Sequence, residues 1–394
     1  MPSSRPSPTV AEVRRDAPLT CAAVHASQPW LATGSMRSDS VDWTGQVVVW
    51  DLQTGQAVSV STHEDGFGFE PSPRMLQWSP DERRLGIAAG TNEVAVIEPG
   101  MEPIVFAPDE TRDHPVEFCW HDDRTLFAAA WCDNDDSMGG GALLSTEDRK
   151  MRWLTRRVVP VVLKQPVRAR AANTVVGHDH RAVFVIDPMG QKVVSQTPLP
   201  STFNNGRSTA GWSSHGALGV FAPPPVDQRY DRSTGRDTGG RTELVLFQST
   251  TRALGQVEVP GAVVALCFAP DERRFVVVSR TVWDGPSHCT VFEGERKVTA
   301  FEARLARAPH HFPDASSLVW SPDGEHLALL RADSTIEITS VGGQGRASWA
   351  TPKMRGEAGL MFANKDRVVL ISQHGMNVFD LSGRSVMRFE IEQA

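Results

Sequence analysis

A single tyrosine, Tyr230, stands beside 11 Trp and 17 Phe in this 394-residue chain, and several other common signals are missing. No apolar run approaches the roughly 20 residues of a membrane-spanning helix. The opening MPSSRPSPTVAEVRR has no apolar h-region, so a secretory leader is not expected. The five cysteines (Cys21, Cys119, Cys132, Cys267, Cys289) are an odd number without a CxxC pair. That argues against structural zinc and a disulfide framework, and for reduced thiols in a cytoplasmic protein. No block of Lys and Arg occurs, and 40 basic against 47 acidic residues give a formal charge of −7. Charge-driven binding to nucleic acid or to an anionic membrane is therefore not expected. Helical periodicity is also missing; segment 296–307 comes nearest, and its alternation suits a strand as well.

Linear chemical motifs are scarce too. The Gly-rich runs at 139–141 and 342–345 lack the Gly-Lys-Ser/Thr ending of a phosphate loop and read as turns. Segment 132–139 begins like a calcium loop, but Met138 and Leu144 stand where an EF-hand needs Gly and Glu. His178-Asp179-His180 and His310-His311 are the short-range metal clasps on offer, and they read as a turn and a surface pair. Gly211-Trp212-Ser213-Ser214-His215 lacks the second Gly of a nucleophile elbow. No catalytic residue, metal or cofactor is assigned on these grounds. A composite catalytic or small-molecule site at a channel mouth remains the alternative, because such a site leaves no linear motif.

What the chain does contain is a repeat. Leu76-Gln77-Trp78-Ser79-Pro80-Asp81, Leu266-Cys267-Phe268-Ala269-Pro270-Asp271 and Leu318-Val319-Trp320-Ser321-Pro322-Asp323 each read as strand and tight turn, with Pro pre-setting φ near −65°. Weaker copies centre on Trp120, Trp212 and Phe362, and two more are placed around Val24 and Leu163. The mean spacing is about 48 residues, in the size range of propeller blades. Downstream of each landmark lies an apolar strand such as Val47-Val48-Val49-Trp50-Asp51 or Val183-Phe184-Val185-Ile186-Asp187, usually followed by a turn and one more strand. Each unit thus has four short strands, a to d. Arranging such units radially buries both faces of every sheet, which predicts an all-β propeller.

The stretch Gly45-Gln46-Val47-Val48-Val49-Trp50-Asp51-Leu52-Gln53-Thr54-Gly55 resembles the closing strand of a WD40 repeat, and Ser321-Pro322-Asp323-Gly324 resembles the turn of WD40 and TolB-type repeats. The resemblance runs from about residue 19 onward and is divergent, of bacterial type. The Gly-His pair of WD40 repeats is missing before strand a, so the family's buried His–Asp network is not carried over. Eight blades are expected, with seven as the alternative, in one domain over 19–394 preceded by a tail at 1–18. Ring closure is open between an N-terminal strand at 9–14 and the C-terminal segment 385–392.

Extra residues fall between strands b and c, at 34–44, 132–141, 223–241 and 281–288. In an antiparallel meander the b–c and d–a connections share one end, so these insertions decorate one rim. Aromatics and Arg, the types enriched in interface cores, mark that rim as the binding face: Trp43, Phe67, Phe69, Phe203, Arg207, Arg229, Tyr230, Trp283, His310, His311 and Phe312. With the WD40 resemblance, this implies a cytoplasmic, non-catalytic, monomeric scaffold that binds proteins or peptides, with no nucleic-acid or membrane partner.

Overall fold

The computed structural model of the chain describes residues 13, 15–38, 43–64, 73–89, 93–99, 101, 103–106, 113–132, 139–154, 159, 163–169, 173–179, 181–200, 209–214, 216–223, 230–231, 236–237, 241–248, 253–281, 285–307, 315–341, 344–352 and 356–391. Thirty-two of the strands form eight antiparallel sheets of four, each made of consecutive a, b, c and d strands apart from an insertion in the fifth. The blades span 19–64, 73–106, 113–154, 164–198, 209–260, 262–303, 318–350 and 358–390. Their a strands neighbour one another in unbroken succession, the eighth returning to the first. The eight-bladed expectation holds, including the fourth blade.

The sequence pattern follows from this packing. Strands b and c are buried on both faces, so Leu85–Ala89, Thr174–His178 and Leu218–Ala222 are buried at every position. Outer d strands alternate instead, as in Lys192–Pro198. Arg296–Ala303 is one of these d strands, which settles the helix-or-strand ambiguity of that segment. The apolar core is accordingly divided into eight clusters, one at each blade-to-blade interface.

Trp78, Trp120, Trp212, Phe268 and Trp320 end their a strands, and three of the indoles tie a blade to the one before it. The indole N–H of Trp78 donates to Ala23 O (3.3 Å), that of Trp120 to Gln77 O (2.9 Å), and that of Trp320 to Cys267 O (3.1 Å). The Trp212 indole N–H is buried with no acceptor among the described residues. It faces blade 4, where the repeat is least regular. There the landmark expected at Leu163 is displaced: Leu163 is buried just ahead of strand Lys164–Ala169, and Ala169 ends the strand.

The Ser-Pro-Asp turns are self-contained. Ser79 Oγ donates to Asp81 (2.6 Å) and accepts from Arg84 N (3.0 Å), and Ser321 repeats the pattern with Asp323 and His326 N. Glu82, after Ser79-Pro80-Asp81, and Glu272, after Ala269-Pro270-Asp271, hold the left-handed position of their turns, at φ 60° and 58°. That conformation is costly for a residue with a Cβ. It is offset by bonds to the preceding blade: Glu272 accepts from Ser213 Oγ (3.2 Å) and Ser214 Oγ (3.0 Å), and Glu82 from Ser27 Oγ. In blade 7 the same position is Gly324, at φ 70°.

Among the described residues the ring closes by packing rather than strand exchange. Ser385–Glu390 is strand d of blade 8, and blades 8 and 1 share one apolar cluster that includes Trp50, Met376 and Phe389. Trp50 and Phe389 lie 4.9 Å apart between ring centroids. Of the segment proposed as a closing strand only Val13 is described, and it is buried in that cluster. Leu19 N donates to Gln373 O (3.0 Å) and Ile391 N to His374 O (3.1 Å), both in the b–c turn of the last blade.

Candidate functional site

The two rims differ in build. The rim of a–b turns consists of the compact units just described. On the opposite rim, the expected insertions at 34–44, 132–141 and 281–288 are partly prolonged hairpins. Pairing continues to Ser38↔Trp43 in blade 1, Trp131↔Gly139 in blade 3 and Arg280↔Ser287 in blade 6. The insertion of blade 5 carries a two-stranded ribbon in which Tyr230 pairs with Asp237 and Asp231 with Arg236. Blades 7 and 8 have only the short turns around Ala332 and Gln373. Low turns beside the longer hairpin of blade 6 leave a recess.

That recess is a cleft of about 420 Å³ lined from blades 6, 7 and 8. Among the described residues its lining includes four arginines, Arg280, Arg304, Arg307 and Arg331, and one carboxylate, Glu357. Arg280 ends strand b of blade 6; its Nε donates to Ser287 Oγ (3.0 Å) and its Nη2 to Leu305 O (3.4 Å). Arg331 follows strand b of blade 7 and is paired through Nη1 with Glu337. Arg304 and Arg307 lie on the d–a connection, which runs as an extra antiparallel segment beside blade 7. Leu305 bridges Arg331, Ala306 N donates to Leu330 O (2.8 Å), and Ala332 N donates to Arg304 O (2.9 Å). This alternation buries Leu305 and exposes Arg304, and Arg307, past the paired residues, is exposed as well. On the other side, Thr351 clips to the turn of blade 7 through Ser334 O, with N at 2.9 Å and Oγ1 at 2.8 Å.

Four guanidinium groups line one recess, Arg331 being paired with Glu337 and Glu357 lining it as well. Each presents a planar fork suited to carboxylate or phosphate oxygens. A thiol behind this wall is inert: burial pushes Cys289 up to about 12, against the opposing pull of the Arg280 guanidinium. Burial likewise pushes Cys267 up to about 12, and Cys119 above its ordinary value. Among the described residues no group of three or more His, Cys, Asp or Glu is placed to hold a metal ion.

Solved structures match the chain. The dihydro-heme d1 dehydrogenase NirN, in complex with DHE, is 11% identical, with a TM-score of 0.60 over 88% of this chain and 71% of that one. Apo AztD from Citrobacter koseri is 14% identical, with a TM-score of 0.54 over 92% of this chain and 95% of that one. The chain is a β-propeller. At these identities the likeness is one of fold alone. No protein-family model and no curated protein matches the sequence.

Of the residues picked from the sequence, Phe67, Phe69, Phe203, Arg207, Arg229, Trp283, His310, His311 and Phe312 lie outside the described residues. Trp43 opens strand Trp43–Asp51 and Tyr230 sits in the blade-5 ribbon, both on the b–c rim. Sequence reasoning missed the four arginines. The signal that reveals two of them is positional: Arg280 ends strand b of blade 6 and Arg331 follows strand b of blade 7. His178, considered as a ligand, is buried at the end of a b strand, its ring 5.1 Å from Phe221, while Asp179 accepts from Arg181 N (2.7 Å) and Ala182 N (2.6 Å). Ser213, considered as a nucleophile, is a fully buried turn residue that accepts from Leu218 N (3.1 Å).

Proposed function

We propose that this propeller is a cytoplasmic, monomeric, non-catalytic platform that binds a protein or peptide on its b–c rim, as its resemblance to WD40-type repeats implies. The observation that carries the reading is the asymmetry between rims. One is built of tight, internally bonded turns, whereas the other combines prolonged hairpins, a ribbon and a recess walled by four arginines. Loops held on a stiff ring lose little conformational entropy on binding, so a modest contact area suffices for specificity.

Affinity capture from the native host tests it with three full-length baits. Wild type is compared with Arg304→Glu/Arg307→Glu on the b–c rim and Arg124→Glu on the other, where Arg124 forms an exposed pair with Glu147. The partner recovered by wild type should be depleted at least about tenfold on the first variant and retained on the second. Loss on the Arg124 variant with retention on the other reverses the assignment of the binding face. A small-molecule binder is the second reading. The cleft volume falls in the range of ligand pockets, and the d–a connections lining it lead directly into the innermost strands.

A further inference from the structure

We infer that Thr281 is an acylation site: its hydroxyl accepts a small acyl group from an activated donor, a thioester or an aryl ester, in a single stoichiometric event. The inference goes beyond the platform reading and does not rest on it. It stands on three side chains at the b–c end of blade 6. Thr281 directly follows strand b, Arg274–Arg280; His288 lies in strand c, Ser287–Glu293, and Glu302 in strand d, Arg296–Ala303. Ser279, His288 and Glu302 are cross-strand partners in register, so their side chains leave the same face of the sheet. Thr281, two residues past Ser279, extends that row.

The contacts along the row have a direction. His288 Nδ1 lies 3.2 Å from a carboxylate oxygen of Glu302, and its Nε2 lies 3.5 Å from Thr281 Oγ1. A neutral imidazole has one N–H and one lone pair, and an ionised carboxylate can only accept. Glu302 therefore holds the N–H on Nδ1 and turns the lone pair of Nε2 toward the hydroxyl. An orienting carboxylate, a general base and a hydroxyl nucleophile stand in that order, and such pairs tighten only when a substrate is bound. Access selects the hydroxyl. Ser279 is fully buried, whereas Thr281 and His288 are half-buried and Glu302 is exposed. The neighbouring thiol does not compete, because burial pushes Cys289 up to about 12.

The step balances without a further reagent. Thr281 Oγ1 attacks the acyl carbon, and its proton passes to His288 Nε2. The bond from the acyl carbon to the donor's sulfur or aryl oxygen breaks, the electron pair leaves with that atom, and the imidazolium returns the proton to it. The products are a Thr281 ester and a free thiol or phenol. Thiols and phenols ionise at about 8.5 and about 10 and leave readily. Releasing the acyl group again expels an alkoxide, a far poorer leaving group, so the ester accumulates.

The test is incubation of the full chain with p-nitrophenyl acetate, followed by nitrophenolate release, intact mass and peptide mapping. One equivalent should be released in a burst, with the acetyl group on the peptide containing Thr281 and removable by hydroxylamine, which cleaves esters and spares lysine amides. S-phenyl thioacetate should give the same label. Thr281→Val should abolish it and Thr281→Ser retain it. His288→Gln should slow labelling about a hundredfold or more. Glu302→Ala should slow it about tenfold, and Glu302→Gln, whose amide oxygen still accepts from Nδ1, should recover part of that loss. Urea midpoints of the variants accompany these rates; if His288→Gln lowers its midpoint, Thr281→Val, close to threonine in shape, decides. No label on Thr281, or a Thr281 label whose rate is indifferent to His288→Gln, overturns the inference. Release beyond one equivalent that is lost in Thr281→Val overturns the single stoichiometric event, and with it the non-catalytic part of the platform reading.

Discussion

Trp120→Phe and Trp212→Phe should differ in their effect on stability, although both replace a landmark indole at a blade interface by a smaller ring. Both side chains are buried, at 3% and 8% exposure, so the loss of packing is similar in the two. The polar contributions have opposite signs. Trp120 donates to Gln77 O at 2.9 Å, and losing that bond costs about 1 kcal/mol net. Trp212 holds a buried N–H with no acceptor among the described residues, and deleting such a group recovers about 1–3 kcal/mol of desolvation cost. The two variants should therefore differ by about 2 kcal/mol or more, with Trp212→Phe the more stable. With a urea m-value of about 3 kcal/mol/M or more for a chain of this size, that is roughly a half-molar difference in midpoint. Parallel urea titrations followed by far-UV circular dichroism measure it. Equal midpoints, or a lower midpoint for Trp212→Phe, refute the account of the landmark as a hydrogen-bonded tie between blades.

Further outcomes follow from the same geometry. Gly324→Ala places a Cβ at φ 70° and should cost about 1–2 kcal/mol in denaturant titrations. Its new methyl meets only the tip of Arg274, 2.9 Å away, which can move aside. Phe389→Ala removes a ring from the closing joint and should cost about 3–5 kcal/mol, seen as a large drop in the same midpoint. Burial, helped by Arg168 and opposed by Asp122 and Asp187, holds His121 below its ordinary 6.5. The unfolded chain therefore takes up a proton that the folded chain refuses. The stability contributed by this group is intact above about pH 6.5 and declines as pH falls from there, and His121→Gln should flatten that slope in a pH series of midpoints.

What was legible in the sequence is what is local. The turns at Ser79 and Ser321 are built from bonds spanning two to five residues, so their signature survives in the linear string. The buried b and c strands are legible for a related reason, since burial on both faces imposes unbroken apolar runs. The landmark of blade 4 was misplaced because the blade lacks the Ser-Pro-Asp turn, and because Leu163 is as buried as a true landmark without lying in the strand. The cleft was invisible because it is assembled from three blades. Arg280 and Glu357 become neighbours only once the ring exists. The rim insertions were located correctly but read as loops, since strand continuation past a blade's usual length has no composition of its own. Only pairing such as Met36↔Gly45 distinguishes a tall hairpin from a loose connection.

The bonds from Leu19 to Gln373 and from Ile391 to His374 place the start of the first blade and the end of the last on adjacent residues of a single turn. Topologically the propeller is therefore nearly a cycle. Joining residues 13 and 391 through a linker, which keeps Val13 in the closing cluster, and reopening the chain between any two blades should give circular permutants with the same eight interfaces. Their relative stabilities would then rank the joints of the ring one by one, which point mutations within an unbroken circle cannot do.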